Sequence, residues 1–174
     1  DCLRSGWIST GPRVGTFQEK FKEYIGVRHA LALNSCTAGL HLSMLAAGLK
    51  PGDEVITTPM TFAATANAII NAGARAVFVD IELPSMNIDP DRIEDAITEK
   101  TKALIPVHFC GRPCSMDRIL EIARRHNLIV IEDAAHATEA FYRGKKIGTL
   151  SDMTVFSFYV TKNLVTGEGG MITT

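Results

Sequence analysis

Six short β-prone, mostly apolar runs recur along the chain, and between them lie segments with helical patterning that open on proline or close on glycine. The runs are His29 to Leu33, Glu54 to Thr58, Ala74 to Asp80, Lys102 to Val107, Leu128 to Glu132 and Thr154 to Phe158. Strands separated by helices are not joined by tight hairpins. Each connection crosses over, so neighbours pair in parallel and the helices cover both faces of one sheet. The alternation predicts an α/β fold, a three-layer α/β/α sandwich with a mostly parallel sheet, and puts any ligand at the carboxyl ends of the strands.

The helical segments carry their own punctuation. Thr16 and Glu19 form a capping-box pattern, which predicts a helix that starts at Thr16 and stops at Gly26. Ala38 to Ala47 is apolar almost all round, the mark of an interior helix, and Gly48 closes it. A further helix is expected from about Thr61 to Asn71, ending at Gly73. Asp89 followed by Pro90 predicts a helix to about Ile97. Ser115 opens another to His126, whose last turn collects Arg124, Arg125 and His126, the sign favoured at a helix C-terminus. No internal repeat or linker divides the sequence, so a single domain is expected, running over residues 1–174. The chain opens on Asp1 and closes inside the β-prone stretch Met171 to Thr174, which reads as a piece of a longer protein.

Charge and cysteine usage narrow the function. Lys and Arg number 18 against 19 Asp and Glu, with no basic block, which argues against a nucleic-acid partner. The apolar stretches are too short to cross a hydrocarbon core, which takes ~20 helical residues, so no membrane partner is expected either. Four cysteines, Cys2, Cys36, Cys110 and Cys114, are too few and too irregular for a disulfide framework, and a cytoplasmic location is expected. His108, Cys110 and Cys114 resemble a zinc spacing only loosely and lack further ligands, so no metal is expected.

The residues just past the strands are the candidates for chemistry. Ser35, Cys36 and Thr37 stand where a strand hands over to a helix, so free backbone N–H groups and the positive end of the dipole form an anion cup; the same residues also serve as plain helix caps. Asp133 follows the apolar run ending at Glu132, where a buried carboxylate calls for a cationic partner or caps the next turn. Phe62 alone reads as core packing, His136 as a ligand contact or a structural histidine, and Lys162 alone as a surface residue. Lys162 precedes Gly167 to Gly170, a run whose backbone can approach a bound group closely. Glycine-rich dinucleotide and P-loop signatures are absent. Taken together, an anion cup, an aromatic plate, a carboxylate and a lysine on adjacent strand ends match what pyridoxal 5'-phosphate needs: a phosphate seat, a stacking partner, a group that keeps the pyridine nitrogen protonated, and an amine for the Schiff base.

The sequence resembles the DegT/StrS-type family of pyridoxal-phosphate sugar aminotransferases, within the aspartate aminotransferase-like (fold-type I) enzymes, over essentially its whole length. The resemblance rests on Ser5 to Pro12, Asn34-Ser35-Cys36-Thr37-Ala38-Gly39 to Leu42, Pro51 to Ile56, Ile131-Glu132-Asp133-Ala134-Ala135-His136-Ala137, and Phe156-Ser157-Phe158 through Lys162 to Gly170. It implies that Lys162 forms the Schiff base, Asp133 pairs with the pyridine nitrogen, Phe62 stacks on the ring and His136 lies near the phenolic oxygen. Cys36, Thr37 and Ser157 would hold the phosphate, Cys36 through its backbone N–H because the family often has Gly or Ala there. Tyr159 stands where the family frequently has histidine. The resemblance also implies an incomplete large domain, a C-terminal small domain absent from this chain, and a homodimer with active sites at the subunit interface, so that the piece alone is inactive. The implied reaction moves an amino group from glutamate to a nucleotide-linked keto sugar for surface-polysaccharide or modified-sugar biosynthesis. A 4-keto sugar on uridine or thymidine is expected, from the stretches Glu132 to His136 and Pro106 to Phe109. Two alternatives stand beside it: a sugar dehydratase on the same scaffold, which would typically carry histidine in place of Lys162, and a non-catalytic regulatory protein of the same fold.

Overall fold

The computed structural model describes all of residues 1–174. A short helix α1 (Cys2–Ser5) precedes α2 (Pro12–Ile25), β1 (Ala30–Leu33), α3 (Cys36–Ala46), β2 (Glu54–Thr57), α4 (Ala63–Asn71) and β3 (Arg75–Phe78). Then follow β4 (Thr101–Leu104), α5 (Met116–His126), β5 (Ile129–Asp133), a small hairpin of β6 (Phe141–Tyr142) and β7 (Lys145–Lys146), β8 (Met153–Ser157) and β9 (Gly170–Thr173). The main sheet has seven strands in the order β1-β9-β8-β5-β4-β2-β3. β2, β3, β4, β5 and β8 pair in parallel, whereas β9 runs antiparallel to both β1 and β8. The mostly parallel sheet is as the alternation predicts. The antiparallel β9 returns from β8 through a connection that holds no helix to carry a parallel crossover.

Side-chain alternation divides the core into two layers. On one face Val55, Ala103, Ile131 and Val155 pack against Leu40 and Met44 of α3 and Ala68 and Ile69 of α4. On the other, Ile56, Leu104 and Val130 meet Ile119 and Ile122 of α5, and Phe156 meets Phe21 and Ile25 of α2. Helices on both faces of one sheet make the three-layer sandwich. Phe21 sits edge-on to both Phe156 and Phe158, with ring centroids 5.2 and 5.4 Å apart, a geometry that places ring edges against π faces. No helix is long and apolar enough to cross a membrane.

Several local expectations are corrected. α2 begins at Pro12 with Gly11 as its cap, so Thr16 lies inside the helix and its hydroxyl donates to the Pro12 carbonyl instead of capping. Pro12 has a fixed φ and no N–H to satisfy, which suits a first helical position and outweighs the capping box four residues on. α3 is not interior on all sides: only Gly39, Leu40, Ser43 and Met44 are buried, and Leu42 and Leu45 are exposed, because α3 forms an outer layer of the sandwich. The segment after Asp89 makes two 3-10 turns, Pro90–Arg92 and Glu94–Ala96, rather than one helix, although the Asp89 carboxylate does accept the Asp91 N–H. Ser115 precedes α5 without a side-chain cap bond.

Candidate active site

The carboxyl ends of β1, β2, β5 and β8 open on one cavity of about 500 Å³, within the range of small-molecule sites, roughly 300–1,000 Å³. Cys36, Thr37, Phe62, Asp133, His136, Ser157 and Lys162 all line it. Residues spread over more than a hundred positions meet because parallel strands bring their C-terminal ends to the same edge.

The floor is the N-terminus of α3. Ser35 caps it by accepting the Ala38 N–H at 3.1 Å and also lines the cavity. β9 passes directly beside this turn at Gly170: a Cβ there would lie 2.5 Å from the Ser35 carbonyl carbon and 2.7 Å from the Cys36 nitrogen. Only a residue without a side chain lets the strand and the cup approach so closely. Gly39 does the same for the next turn of α3, where a Cβ would stand 2.5 Å from Val155 Cγ1. The Cys36 thiol faces the Val155 carbonyl at 4.0 Å. Burial pushes its pKa well up and Asp133 adds to this, with Lys162 opposing, so the thiol stays neutral.

Asp133 ends β5 and is only 6% exposed. One of its oxygens accepts the Thr65 hydroxyl at 2.7 Å and the other the Ala135 N–H at 3.1 Å. The expected cationic partner is not provided within the chain: both donors are neutral, and the remaining lone pairs face the cavity. Lys162 is set by a turn after β8 in which its N–H bonds to the Tyr159 carbonyl at 2.9 Å. Its Nζ lies 2.5 Å from His136 Nε2. Burial and the neighbouring Lys162 lower the proton affinity of His136, with Asp133 partly offsetting them, so the imidazole is neutral and its Nε2 accepts from Lys162 Nζ.

Phe62, the residue that caps α4, is 82% exposed at the cavity mouth, which corrects the reading of it as core. An aromatic residue held at a cavity rim with its ring in the open is available for stacking. Tyr159, Thr161, Glu168 and Phe109 also line the cavity, and the sequence singled out no role for them. The sequence singles out Thr61 only as a strand-end residue where a helix begins, and gives Thr65 no role at all. The signal was present in two threonines one helical turn apart at the head of an alanine-rich segment.

Behind this site, on the opposite face of β5, lies a second carboxylate. Glu132 accepts from His108 Nε2 at 2.8 Å, Ser151 Oγ at 2.6 Å and Thr154 Oγ1 at 2.9 Å. The other His108 nitrogen accepts the Cys114 N–H at 3.1 Å, so the ring carries its single proton on Nε2, toward Glu132. Burial pushes the Glu132 carboxyl up, but these hydrogen bonds outweigh it and hold its pKa below the usual range. The Cys114 thiol points away from His108, to the Val107 carbonyl at 3.2 Å.

A family model for the DegT/DnrJ/EryC1/StrS aminotransferase family matches residues 1–174. The spore coat polysaccharide biosynthesis protein SpsC of Bacillus subtilis (strain 168) is 55% identical over 174 residues, which are all of this chain and 45% of SpsC. GDP-perosamine synthase of Caulobacter vibrioides is 50% identical over 175 residues, 100% of this chain and 47% of that protein. The protein Spr1654 of Streptococcus pneumoniae superposes with a TM-score of 0.96 in its PLP form and 0.97 in its PMP form, at 37% identity. Each superposition covers 99% of this chain, and 48% and 47% of Spr1654 respectively. The chain thus spans about half the length of the relatives it matches.

Proposed function

The chain belongs to the DegT/DnrJ/EryC1/StrS aminotransferase family, and on that premise we propose that its activity is a pyridoxal 5'-phosphate-dependent transfer of an amino group from glutamate to the keto group of a nucleotide-linked sugar. A 4-keto sugar is the substrate this reading favours, on the stretches Glu132 to His136 and Pro106 to Phe109, and use in a polysaccharide is in keeping with the name of SpsC. The same proposal takes residues 1–174 as part of the cofactor-binding large domain of a cytoplasmic homodimer whose C-terminal small domain lies outside these residues.

The observation that carries the reading is the buried Asp133 carboxylate without a cation of its own, facing the same cavity as Lys162 and the N-terminus of α3. A buried charge left unpaired is costly, and a ligand with a protonated ring nitrogen removes that cost. The residues present therefore fit the cofactor. Cys36 and Thr37 offer backbone N–H groups, and Thr37 and Ser157 offer hydroxyls, to its phosphate. Phe62 offers an exposed ring face, and Asp133 holds the ring-nitrogen proton. When bound, the cofactor supplies an aldehyde for capturing amines and a ring into which the electrons of a broken Cα–H bond are delocalised.

The remaining chemistry belongs to the side chains. Lys162 in its neutral form would take the α-proton of the amino donor on Nζ and deliver it to the carbon of the cofactor's aldehyde group, so that the amine stays with the cofactor and the donor leaves as a keto acid. Neutral His136, 2.5 Å away, orients that Nζ and gives the lysine proton a hydrogen-bond acceptor. The protonated Cys36 thiol keeps a negative charge out of the phosphate seat. Lys162, where a sugar dehydratase on this scaffold would typically carry histidine, favours amino transfer over elimination.

The test is incubation of the full-length protein with glutamate and a panel of keto sugars linked to uridine, thymidine and guanosine diphosphates, with products identified by mass spectrometry and NMR. Equimolar 2-oxoglutarate and amino sugar are expected. Loss of a sugar hydroxyl without amination would replace the reading by the dehydratase, and no turnover with cofactor unbound by the non-catalytic alternative.

A further inference from the structure

Resting on the cofactor reading above, we infer that Thr65 is a positioning residue that sets how the Asp133 carboxylate meets the bound ring, and that Thr61 holds Thr65 in place. Thr65 is fully buried in α4, and its hydroxyl donates to Asp133 Oδ2 at 2.7 Å. A hydroxyl has one proton, so in its 2.7 Å contact with Thr61 Oγ1 the Thr65 oxygen accepts, and the chain of donation runs from Thr61 to Thr65 to Asp133. On the far side the Ala135 N–H binds Oδ1 at 3.1 Å. One donor on each oxygen fixes the plane of the carboxylate and leaves the other lone pairs aimed at the cavity, where the ring nitrogen of the cofactor would donate.

Thr65 also ties this carboxylate to the aromatic plate. Its backbone N–H bonds to the Phe62 carbonyl at 3.1 Å, in the first turn of α4. A single residue thereby sets the height of the stacking ring at the cavity mouth relative to the carboxylate at its base. Helix propensity does not account for a threonine here: β-branched residues are weaker helix formers than the alanines that surround it, and a buried hydroxyl is unfavourable unless hydrogen-bonded.

The experiment measures the dissociation constant of pyridoxal 5'-phosphate from the apo form of the full-length protein, with melting temperature as a check on folding. Thr65→Val keeps the shape and removes the hydroxyl. It is expected to weaken binding about tenfold, the scale of one hydrogen bond to a charged group. Thr65→Ser keeps the hydroxyl and is expected to stay within about twofold of wild type, while Thr61→Val, one step removed, should weaken binding about threefold. In an Asp133→Asn background both valine substitutions should lose most of their effect, because two residues acting through one contact are not additive. Equal losses in the two backgrounds, or a serine variant as weak as the valine one, would overturn the role. Should Thr65→Val fail to fold, Thr61→Val across the same two backgrounds decides the question. A wild-type protein that binds no pyridoxal 5'-phosphate is a different outcome, which overturns the proposed function and this role with it.

Discussion

Glu132 and Asp133 are consecutive residues of β5, both carboxylates and both buried, yet the pleat sends them to opposite faces and into opposite circumstances. Glu132 points to the α5 side, where His108, Ser151 and Thr154 all donate to it and no part of it faces a cavity. Asp133 points to the α3 and α4 side, has only Thr65 and Ala135 as donors, and looks into the cavity with Lys162 and His136. A buried charge with a full set of donors is part of what holds the fold together. One with free lone pairs and no cation is a place for a ligand. Burial alone does not distinguish the two; the partners do.

That contrast can be broken or sharpened from either side, always in the full-length protein. The largest effect is expected on the Asp133 side. Lys162→Ala should abolish amino transfer in a coupled 2-oxoglutarate assay while circular dichroism and melting stay close to wild type, and near-normal turnover would refute the role of that amine. On the Glu132 side, Glu132→Ala strands the His108, Ser151 and Thr154 donors. It should cost about 3–5 kcal/mol in denaturant unfolding, from buried donors left unsatisfied at about 1–3 kcal/mol each.

The same pair gives a pH dependence. The folded-state pKa of Glu132 is depressed, so its contribution is full above its ordinary value of 4.5 and is lost as pH falls through the lower folded value. Glu132→Gln should flatten that acid limb of the stability curve, and an unchanged limb would place the titration elsewhere. Asp133→Asn should leave stability nearly untouched and keep cofactor, but lower kcat roughly 10²–10³-fold, the range for removing one preorganised electrostatic partner.

Smaller effects belong to the walls of the cavity. Gly170→Ala pushes a methyl group into the Ser35–Cys36 turn and should cost about 1–3 kcal/mol, read as weaker phosphate and cofactor binding more than as unfolding. Phe62→Ala removes an exposed ring and should leave stability unchanged, with cofactor affinity falling by up to about tenfold, the upper end of about 0.5–1.5 kcal/mol for aromatic stacking.

The sheet was legible because apolar runs and glycine stops report directly on strand and helix periodicity, and all six predicted strands occur. The capping box at Thr16 misled because Pro12 offered a better start four residues earlier, and only the packed helix decides between two local signals. The segment after Asp89 carried a helix-start pattern, but splits into two 3-10 turns. Of the site, the strand-end rule brought Cys36, Thr37, Asp133, Ser157 and Lys162 to one cavity. The same rule reached Phe62, but nothing in an isolated phenylalanine says whether it faces a core or a cavity mouth. Thr65 was hidden for a different reason: its function lies in a hydrogen bond across 68 positions, which no local pattern encodes.

In the proposed function, Lys162 and Asp133 serve one small aromatic cofactor in this cavity. Borohydride reduction of the full-length holoprotein, followed by proteolysis and peptide mass spectrometry, tests it most directly. A pyridoxyl-phosphate adduct is expected on the peptide containing Lys162, and its loss in Lys162→Ala. An adduct on another lysine, or none at all, would contradict it.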